Sequence, residues 1–554
     1  MTRFCPHIVV VGLAILGCTV SAFGQTGQPL KTDAALQAAA AQPAGPVRRL
    51  SVDDAVKSAL EHNLGVQIQR LDPQIQDVSV AQARSFWAPQ ISTGIQKNSS
   101  NIVSTSSLAG NQASLNSSIF AGGVGLSQFL PWGGSYNANW NNNRSTTSDQ
   151  SNVFNPTLRS QLSVNYNQPL LRNFSIDNVR QTLINSMKTR DMSDVQLHAT
   201  MVGTARAVKN AYWDLVYQLD NYKAVQLSLQ LAQQSLRDNT RRVEIGTMAP
   251  IDIVDARSEV ARNEEAVIVA GANIRQAEDQ LRMLIFDPTT PDFWNVHIEP
   301  TDTVPFQTAA IDTDAAVRNA LSKRTDLRQA KNTIEESDVS LRYFRNQILP
   351  DVTANANYQT TGIGGVQLER IDLFQSGGEA KRAILAQRSF ASAVSDVFKS
   401  TYPAWTVSLN VSYPLGTSVS KANLERAKLQ YQQAGIQLKN LEMQIAAQVR
   451  NVARQVESNQ KRVESARAAR ELAEEKLAAE EKKFAAGIRD TFFVFQAQRD
   501  LAAARTAEVR ATSDYNKSLV DFEAVQEIPV GGGTSGVSSA SSGAIQTGNA
   551  IVRQ

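Results

Sequence analysis

The sequence predicts a mainly α-helical protein that also contains membrane β-strands and is built from two copies of one unit. Three observations support this fold class. Very long segments lack proline and have apolar residues at helical spacing, segments after proline-ended helices alternate between apolar and polar residues, and the two halves of the chain repeat one another. Repeats of this kind indicate units that bury their apolar faces only by packing on neighbours.

The repeat is visible in individual residues. Equivalent pairs at one constant spacing are Asp53 with Asp314, Ala55 with Ala316, Leu60 with Leu321, Arg84 with Arg345 and Pro89 with Pro350. Later in the unit, Pro169 is matched by Pro414 and Gly246 by Gly487, at shorter spacings. The second copy has therefore lost residues, mainly between its two prolines, where loops are expected.

The pattern divides the chain into a leader, two repeats and a tail. The predicted segments are a signal peptide at 1–24, a flexible lead at 25–48, a first repeat at 50–287, a linker at 288–310, a second repeat at 311–527 and a disordered Gly/Ser-rich tail at 528–554. Strands are predicted at about 88–170 and about 350–415, and helical hairpins at about 176–286 and about 420–526.

The N-terminus is typical of an exported protein. A short apolar stretch is followed by Ala22-Phe23-Gly24, a small-x-small sequence that favours cleavage after Gly24. Lipidation at Cys18 is the alternative. Both cysteines of the chain, Cys5 and Cys18, lie in this segment, so cleavage after Gly24 would leave no disulfide and no thiol ligand.

Composition argues against nucleic-acid binding and against catalysis. The net charge is +3 and acidic and basic residues are interleaved, so no nucleic-acid partner is expected. The four histidines are scattered, and paired acids lie in helical runs beside basic residues. No catalytic residues, no metal site and no cofactor are predicted, and the protein is not expected to be an enzyme.

Helices begin each repeat. Ser51 is placed to N-cap a helix whose apolar stripe includes Val52 and Val56. A second helix is predicted to run to about Phe86, with Pro73 either kinking it or setting its start.

After the prolines that end the helices, apolar residues no longer recur every three or four positions but alternate with polar ones. Val352, Ala354 and Tyr358 alternate with small polar residues, and segments 162–167 and 407–413 have the same pattern. A soluble sandwich would also alternate, but it would expose charged side chains, which are almost absent from these polar positions. The pattern therefore favours strands between lipid and a watery lumen. No apolar run is long enough for a spanning helix, so such strands would have to form a closed barrel.

Two segments leave the number of strands open. Residues 124–140 indicate a strand, a turn and a strand, which is either an extra hairpin in the barrel wall or a folded loop. Trp132, Tyr136 and Trp140 in this segment suit a membrane interface. Residues 362–402 predict a partly helical extracellular excursion.

Residues 176–244 and 420–486 predict two very long helices, each on the order of 100 Å in length. Return helices are predicted at 251–285 and 491–525. A hairpin of this length has too little core of its own, so it must pack on neighbouring helices.

The hairpin turns are the most specific motif. Residues 242–256 and 483–491 each place a glycine shortly before a new helix. Together with the duplication and the strand pattern, these turns resemble those of the TolC-like outer-membrane efflux protein family, over about residues 50–527.

The resemblance implies a homotrimer in the cell outer membrane that extends into the periplasm. Each chain would give four strands to a shared twelve-stranded β-barrel, or six to an eighteen-stranded one if residues 124–140 join the wall. The long helices would continue the barrel as a trimeric α-barrel tunnel. Such a passive duct, surrounded by outer-membrane lipid, would work with a periplasmic adaptor (membrane fusion) protein and an inner-membrane pump in multidrug efflux or type I secretion.

The resemblance also implies roles for the residues of the turns. Asp252 and Arg489 stand where relatives have an acidic and a basic partner, which would form an ion pair between subunits and hold the pore shut; exposed helix-end charges are the alternative. Phe493 and Gln496 stand where relatives can have acids, so an apolar constriction is expected. The gate candidates are Asp252, Asp255, Phe484, Arg489, Phe493 and Gln496. The residues expected to dock the adaptor are Gly246, Thr247, Met248, Gly487 and Ile488.

A periplasmic coiled-coil scaffold without channel activity is the alternative function, because helices dominate the sequence. It does not explain why exported strands are polar on one face. Fractionation separates the two, since a scaffold would be soluble in the periplasm and a duct would be found in outer membranes. The sequence favours no particular cargo.

Overall fold

The computed structural model describes residues 46–103, 113–149, 151–291, 293–302, 310–369, 383–416 and 418–530. The predicted signal peptide, with Cys18 and Gly24, lies outside these residues.

The first repeat has short helices, then strands, then a long helical hairpin. Its elements are β1 (Val47–Leu50), α1 (Val52–His62), α2 (Leu64–Ser85), β2 (Gln90–Val103), β3 (Ser114–Phe129), β4 (Ser135–Thr147), β5 (Phe154–Pro169), α3 (Asn178–Glu244) and α4 (Ile251–Ile285). Strand β6 (His297–Pro300) lies between the repeats.

The second repeat has the same order of elements. They are α5 (Thr313–Lys323), α6 (Thr325–Gln347), β7 (Asp351–Leu368), β8 (Ile384–Arg388), α7 (Phe390–Phe398), β9 (Pro403–Ser412), α8 (Val419–Ala485) and α9 (Thr491–Ala524). Helices α3 and α8 each contain 67 residues, which corresponds to about 100 Å. The prediction of two long helices with return helices is confirmed.

The short helices begin at side-chain caps. Ser51 caps α1 as predicted, because its Oγ accepts a hydrogen bond from the Asp54 N–H at 3.2 Å. Helix α2 begins at the next cap, where Asn63 Oδ1 accepts from the N–H groups of Gly65 and Val66. Pro73 lies inside α2, so the suggestion that it sets the start of this helix is wrong. The Asn63 cap supplies the start instead.

The long strands form one antiparallel sheet. Their order is β2, β3, β4, β5, β7 and β9, and the short β8 pairs with the far end of β7. The expectation of four strands per chain is therefore wrong, and residues 124–140 form an extra hairpin of the sheet and not a folded loop. A tight turn makes this hairpin: the Leu130 N–H donates to the Gly134 carbonyl at 2.7 Å, and Gly133 has a φ of +89°.

The two faces of the sheet differ in chemistry. Cross-strand pairing places apolar side chains on one side, here called the apolar face: Ile91, Ile95, Phe120, Val124, Leu126, Trp140, Leu162, Val164, Tyr358, Trp405, Val407 and Leu409. Many of these are exposed in the single chain, including Ile91 at 78% and Trp405 at 72%. The chain by itself therefore leaves much of this apolar face uncovered.

The other side, here called the polar face, is rich in asparagine. Its amides are Asn98, Asn137, Asn139, Asn141, Asn143, Asn165, Asn167, Asn355, Asn357 and Asn410. Gly123 and Gly125 lie beneath two of them, and a Cβ at either glycine would overlap the Oδ1 of Asn141 or Asn139. Amides thus cover the backbone of the neighbouring strand.

Helix α7, which connects β8 to β9 in the chain, packs on the apolar face over β5 and β7. Ala393 and Val397 of this helix are buried, and a Cβ at Gly362 of β7 would overlap the Ala393 carbonyl oxygen. The predicted excursion at 362–402 therefore begins too early, because β7 continues to Leu368. Pairing with β5 and β8 extends the strand, and the helical part is α7.

The predicted lead and linker contribute to a packed core. Strand β1 pairs in parallel with β6, so the flexible lead cannot extend to residue 48 as predicted. Tyr212 of α3 donates its hydroxyl to the Leu50 carbonyl at 3.1 Å and is fully buried. Its burial raises its pKa to about 12. Apolar residues of the linker, such as Ile298, pack into the same cluster.

The predicted tail also begins too early. Ile528 and Val530 are buried in a cluster with Ile445 and Val449 of α8, and Gln448 donates a side-chain hydrogen bond to the Val530 carbonyl. Two apolar side chains therefore hold the chain to the helices as far as residue 530.

The helices of the two hairpins pack in the order α4, α3, α9, α8. Lys517 of α9 forms an ion pair with Asp214 of α3, which joins the hairpins at their centre. The outer helices α4 and α8 expose apolar side chains: Ile251, Val254, Ile268, Val269, Leu429, Ile436, Met443 and Leu472. Among the helices that the structure describes, none combines the length and the hydropathy needed to cross a membrane.

The role of residues 528–530 can be tested by truncation. A chain ending at Glu527 should unfold at a lower denaturant concentration than a chain ending at Val530, because it loses the burial of Ile528 and Val530, about 1.5–3 kcal/mol each. The measurement is urea denaturation followed by helical circular dichroism in detergent. Equal midpoints for the two truncations would show that the contact contributes nothing.

Candidate functional site

The predicted site residues come together at the far ends of the hairpins. The first tip, residues 242–256, joins α3 to α4, and the second tip, residues 483–497, joins α8 to α9.

In the first tip, two backbone hydrogen bonds end the long helix. The Gly246 N–H donates to the Val243 carbonyl at 3.0 Å, and the Thr247 N–H donates to the Arg242 carbonyl at 2.9 Å. This pair of bonds defines a Schellman turn.

The second tip repeats the turn. The Gly487 N–H donates to the Phe484 carbonyl and the Ile488 N–H to the Lys483 carbonyl, both at 3.0 Å. Gly246 and Gly487 have φ angles of +78° and +72°, a region in which a side chain would strain the backbone. The glycines are therefore required for the reversal of the chain.

The residues predicted to dock an adaptor form these turns. Gly246, Thr247, Gly487 and Ile488 are exposed, and Met248 is half-buried. Ile488 is 72% exposed, and Ile245, which follows α3, is 73% exposed. Apolar side chains at the ends of the hairpins are thus accessible to a partner.

Arg489 is held within the second tip. Its guanidinium carbon lies 4.2 Å from the centre of the Phe493 ring, and its Nε is 4.0 Å from Glu480 Oε2. Lys483 Nζ donates to the other carboxylate oxygen of Glu480 at 2.7 Å. The Glu480 side chain is only 12% exposed, and within the described chain its Oε2 has no hydrogen bond. Arg489 is therefore its nearest countercharge on that side.

The surrounding cations lower the pKa of Glu480. The hydrogen bond from Lys483 is the largest cause, the charges of Lys483, Arg489 and Lys476 add to it, and partial burial opposes it. The carboxylate therefore stays ionised to lower pH than an ordinary glutamate.

Asp252 and Asp255 lie at the start of α4. Asp252 is half-buried in the first turn, where a negative charge is favourable at a helix N-terminus, and Asp255 is exposed. Within the described part of a single chain, Arg489 pairs with Glu480 and not with Asp252. The ion pair between subunits stays a prediction.

Phe493 and Gln496 have different surroundings. Phe493 is 38% exposed and meets the ring of Phe492 edge-on, with centroids 5.7 Å apart. Gln496 Nε2 donates to Asp500 Oδ1 at 2.9 Å, and the other oxygen of Asp500 pairs with Lys476 at 2.7 Å. The two phenylalanines give this tip an apolar surface, whereas Gln496 belongs to a polar network.

The two tips contact each other within one chain. The Arg242 guanidinium lies 4.4 Å from the centre of the Phe484 ring. Further from the tips, Gln498 Nε2 donates to Ser235 Oγ at 3.1 Å. Phe484, predicted to belong to the gate, is therefore part of the contact between the two hairpins.

Glu480, Arg242 and Phe492 were not predicted from the sequence. The helical spacing of Glu480 and Lys483 was a usable signal, since such pairs interact. The contact of Arg242 with Phe484 joins residues far apart in the chain, and no local pattern predicts it. Among the residues described, no group of histidine, cysteine and carboxylate side chains is arranged to hold a metal ion.

The sequence matches a model of the outer membrane efflux protein family over residues 133–285 and 316–525. These segments cover more than half of the chain, which therefore belongs to this family. The protein is thus an outer membrane efflux protein and not an enzyme. A comparison with curated protein sequences gave no match.

The fold is similar to those of solved outer-membrane channels. CmeC of Campylobacter jejuni aligns with a TM-score of 0.59 and 12% identity, over 86% of this chain and 85% of that chain. VceC of Vibrio cholerae aligns at 0.58 and 16% identity, over 86% and 96%. The open state of MtrE of Neisseria gonorrhoeae aligns at 0.57 and 15% identity, over 86% and 89%. The resemblance to the TolC-like family, drawn from the hairpin turns and the duplication, is confirmed.

The glycines of the turns give a test of tip geometry. Gly246→Ala and Gly487→Ala should each favour local opening of the tip by about 1–2 kcal/mol, because a left-handed backbone disfavours a Cβ. Gly435→Ala within α8 is the matched control. A Cβ at any of the three glycines meets nothing within 4 Å, so the control should be neutral or stabilising. Hydrogen exchange of tip peptides measures the effect, and equal exchange in all three variants would contradict it.

Glu480 gives a prediction about pH. Because its pKa is lowered in the folded state, its contacts contribute stability above the ordinary glutamate pKa, and this contribution is lost as the pH falls through the lowered pKa. A nitroxide at Ile488→Cys should keep constant mobility between about pH 7 and pH 5 and become more mobile in stronger acid. Glu480→Gln should make the label mobile at neutral pH. The exposed neighbour serves as control, and identical profiles for Glu480→Gln and Glu481→Gln would contradict the assignment.

Proposed function

We propose that three copies of this chain form a passive export duct across the outer membrane, gated at the hairpin tips. In this assembly the apolar face of the sheet contacts lipid and the polar face lines the lumen. The long helices continue the duct into the periplasm, where an adaptor protein and an inner-membrane pump join it.

The observation that carries the proposal is the open sheet. Strand β2 is one edge and β9, with β8, is the other, so both present unpaired backbone groups. In a membrane every such group must be paired within protein, which only a closed barrel achieves for strands. Six long strands of one chain, pairing edge to edge in three copies, would give a wall of eighteen.

The helices need the same association. Within the described chain α4 packs mainly against α3, and the part of α8 at the same level packs mainly against α9. Both helices expose apolar side chains there, including Ile268, Val269 and Leu472. Packing α4 of one copy against α8 of the next would cover these side chains and close the tunnel at the level of the hairpins.

The proposed lumen is lined by neutral amides and hydroxyls. Along the long strands of the polar face that the structure describes, Arg159 is the one cationic side chain, and Asp351, at the helical end, pairs with Arg172 at 3.8 Å. A wall of this kind hydrates solutes without binding one charge strongly, as a shared duct requires.

The tips would have two roles. The turns at Gly246–Met248 and Gly487–Ile488 would dock the adaptor, since their apolar side chains are accessible. Arg489 would act as the latch by exchanging its contact with Glu480 of the same chain for Asp252 of the neighbouring chain. Phe493, on which Arg489 packs, would narrow the closed pore.

Single-channel conductance of the purified protein in planar bilayers tests both the duct and the latch. The wild type should give small discrete steps. Arg489→Gln and Asp252→Asn should each enlarge them, and the double variant should add little more, because both changes break one ion pair. Glu480→Gln, which releases Arg489 towards Asp252, should leave the steps unchanged or smaller. Glu244→Gln, at the exposed end of α3, is the matched control.

The outcomes separate the parts of the proposal. If the conductance steps have the same size in every variant, the protein is a duct but the ion pair of Arg489 is not its latch. Enlarged steps in Glu480→Gln alone would make the contact within the chain the latch. Folded protein without any conductance would exclude the duct and favour the periplasmic scaffold.

A further inference from the structure

Two cations and an aromatic ring lie side by side on the apolar face. Lys97 of β2 pairs across the strands with Phe120 of β3, and Phe120 pairs with Arg144 of β4. All three side chains are exposed, Phe120 at 52%. Within the part of the chain described, neither cation takes part in an ion pair.

This group lies toward the end of the sheet that is remote from the long helices. Strand β2 starts shortly after helix α2, and Lys97 follows Ile95 by two residues, about 7 Å along the strand. Strand β4 starts at a turn in which Gly133 lies beside Arg180 of α3, and Arg144 is near its opposite end. The cations therefore border the apolar belt on its far side.

The position decides what the cations can contact. A lysine or arginine facing lipid costs about 2–4 kcal/mol at the middle of a bilayer and little near its surface. Long basic side chains at the border of the belt can extend to the head groups, where phosphates offer charge-assisted hydrogen bonds. The ring of Phe120 between them offers an apolar contact for the adjoining acyl chains.

Helix α7 adds an exposed apolar side chain, Phe398, on the same face. The ring of Phe398 meets Trp140 edge-on at 5.9 Å, and Trp140 lies on β4 with Arg144, on the same face. Phe398 is 69% exposed. The apolar surface beside the cations is therefore widened on the side of β5 and β7.

We propose that Lys97, Phe120 and Arg144 form a docking surface for a phosphorylated glycolipid of the outer leaflet. The two cations hold its phosphate groups and Phe120 contacts its chains. The orientation of this surface rests on the proposed function, in which the helices lie in the periplasm.

The test uses purified full-length protein in detergent and two probes, lipid A with its phosphates and lipid A without them. Binding is measured by native mass spectrometry over a range of lipid concentrations. Lys97→Gln with Arg144→Gln should weaken binding of the phosphorylated probe by on the order of 10- to 30-fold, from about a factor of five for each cation near an anionic surface. Arg159→Gln is the matched control, because Arg159 lies on the opposite face of the same sheet.

Unchanged affinity in the double variant, or equal binding of both probes by the wild type, would overturn the proposal. If the double variant fails to fold, the single variants Lys97→Gln and Arg144→Gln test the proposal, and each should weaken binding of the phosphorylated probe about fivefold. The exchange Lys97→Arg with Arg144→Lys should retain binding. Conductance of the same preparations is recorded separately. Loss of conductance would contradict the proposed duct, whereas unchanged lipid binding in the variants would contradict the lipid site alone.

Discussion

The open edges of the sheet are the constraint on which the rest of the structure depends. Strands β2 and β9 present unpaired backbone groups, and the sheet has an apolar face that the chain does not cover. Neither is resolved within the described chain, in which β2 and β9 stay at the edges while the long strands between them have partners on both sides. The helical part repeats the constraint at a larger scale, since α4 and α8 each expose an apolar surface. In the proposed trimer, lateral association of identical chains would satisfy both levels at once.

The tips combine a rigid backbone with weakly held charges. Two Schellman turns, each with a left-handed glycine, fix where the hairpins reverse. Arg489, by contrast, is held by one aromatic contact and one ion pair at 4.0 Å. Partly exposed ion pairs contribute only about 0–1 kcal/mol each. A latch built from such pairs, repeated around a symmetric pore, could be displaced by a docked partner without unfolding the hairpins.

In the proposed duct the strands would present two different surfaces to two different environments. The period of two places amides on one face and aromatic and branched residues on the other, so one strand can line a lumen and face lipid. The few charges on the sheet follow the same division. Arg159 lies on the amide face, whereas Lys97 and Arg144 lie at the border of the apolar belt. In the proposed duct the placement of these charges would distinguish the lumen from the lipid surface.

The sequence by itself determined the duplication, the long helices, the glycine turns and the two-sided strands, because each depends on local spacing or on a residue with restricted backbone geometry. It also predicted which residues lie at the tips. The number of strands, the packing of Ile528 and Val530, and the parallel pairing of β1 with β6 were decided only by tertiary structure. So were the contacts of Arg489 with Glu480 and of Arg242 with Phe484. The sequence around Leu130–Gly134 is compatible with a folded loop or with a hairpin of the sheet. The hairpin forms because its second strand, β4, pairs with β5. These pairings and contacts join residues that are distant in the chain, so local sequence patterns do not predict them.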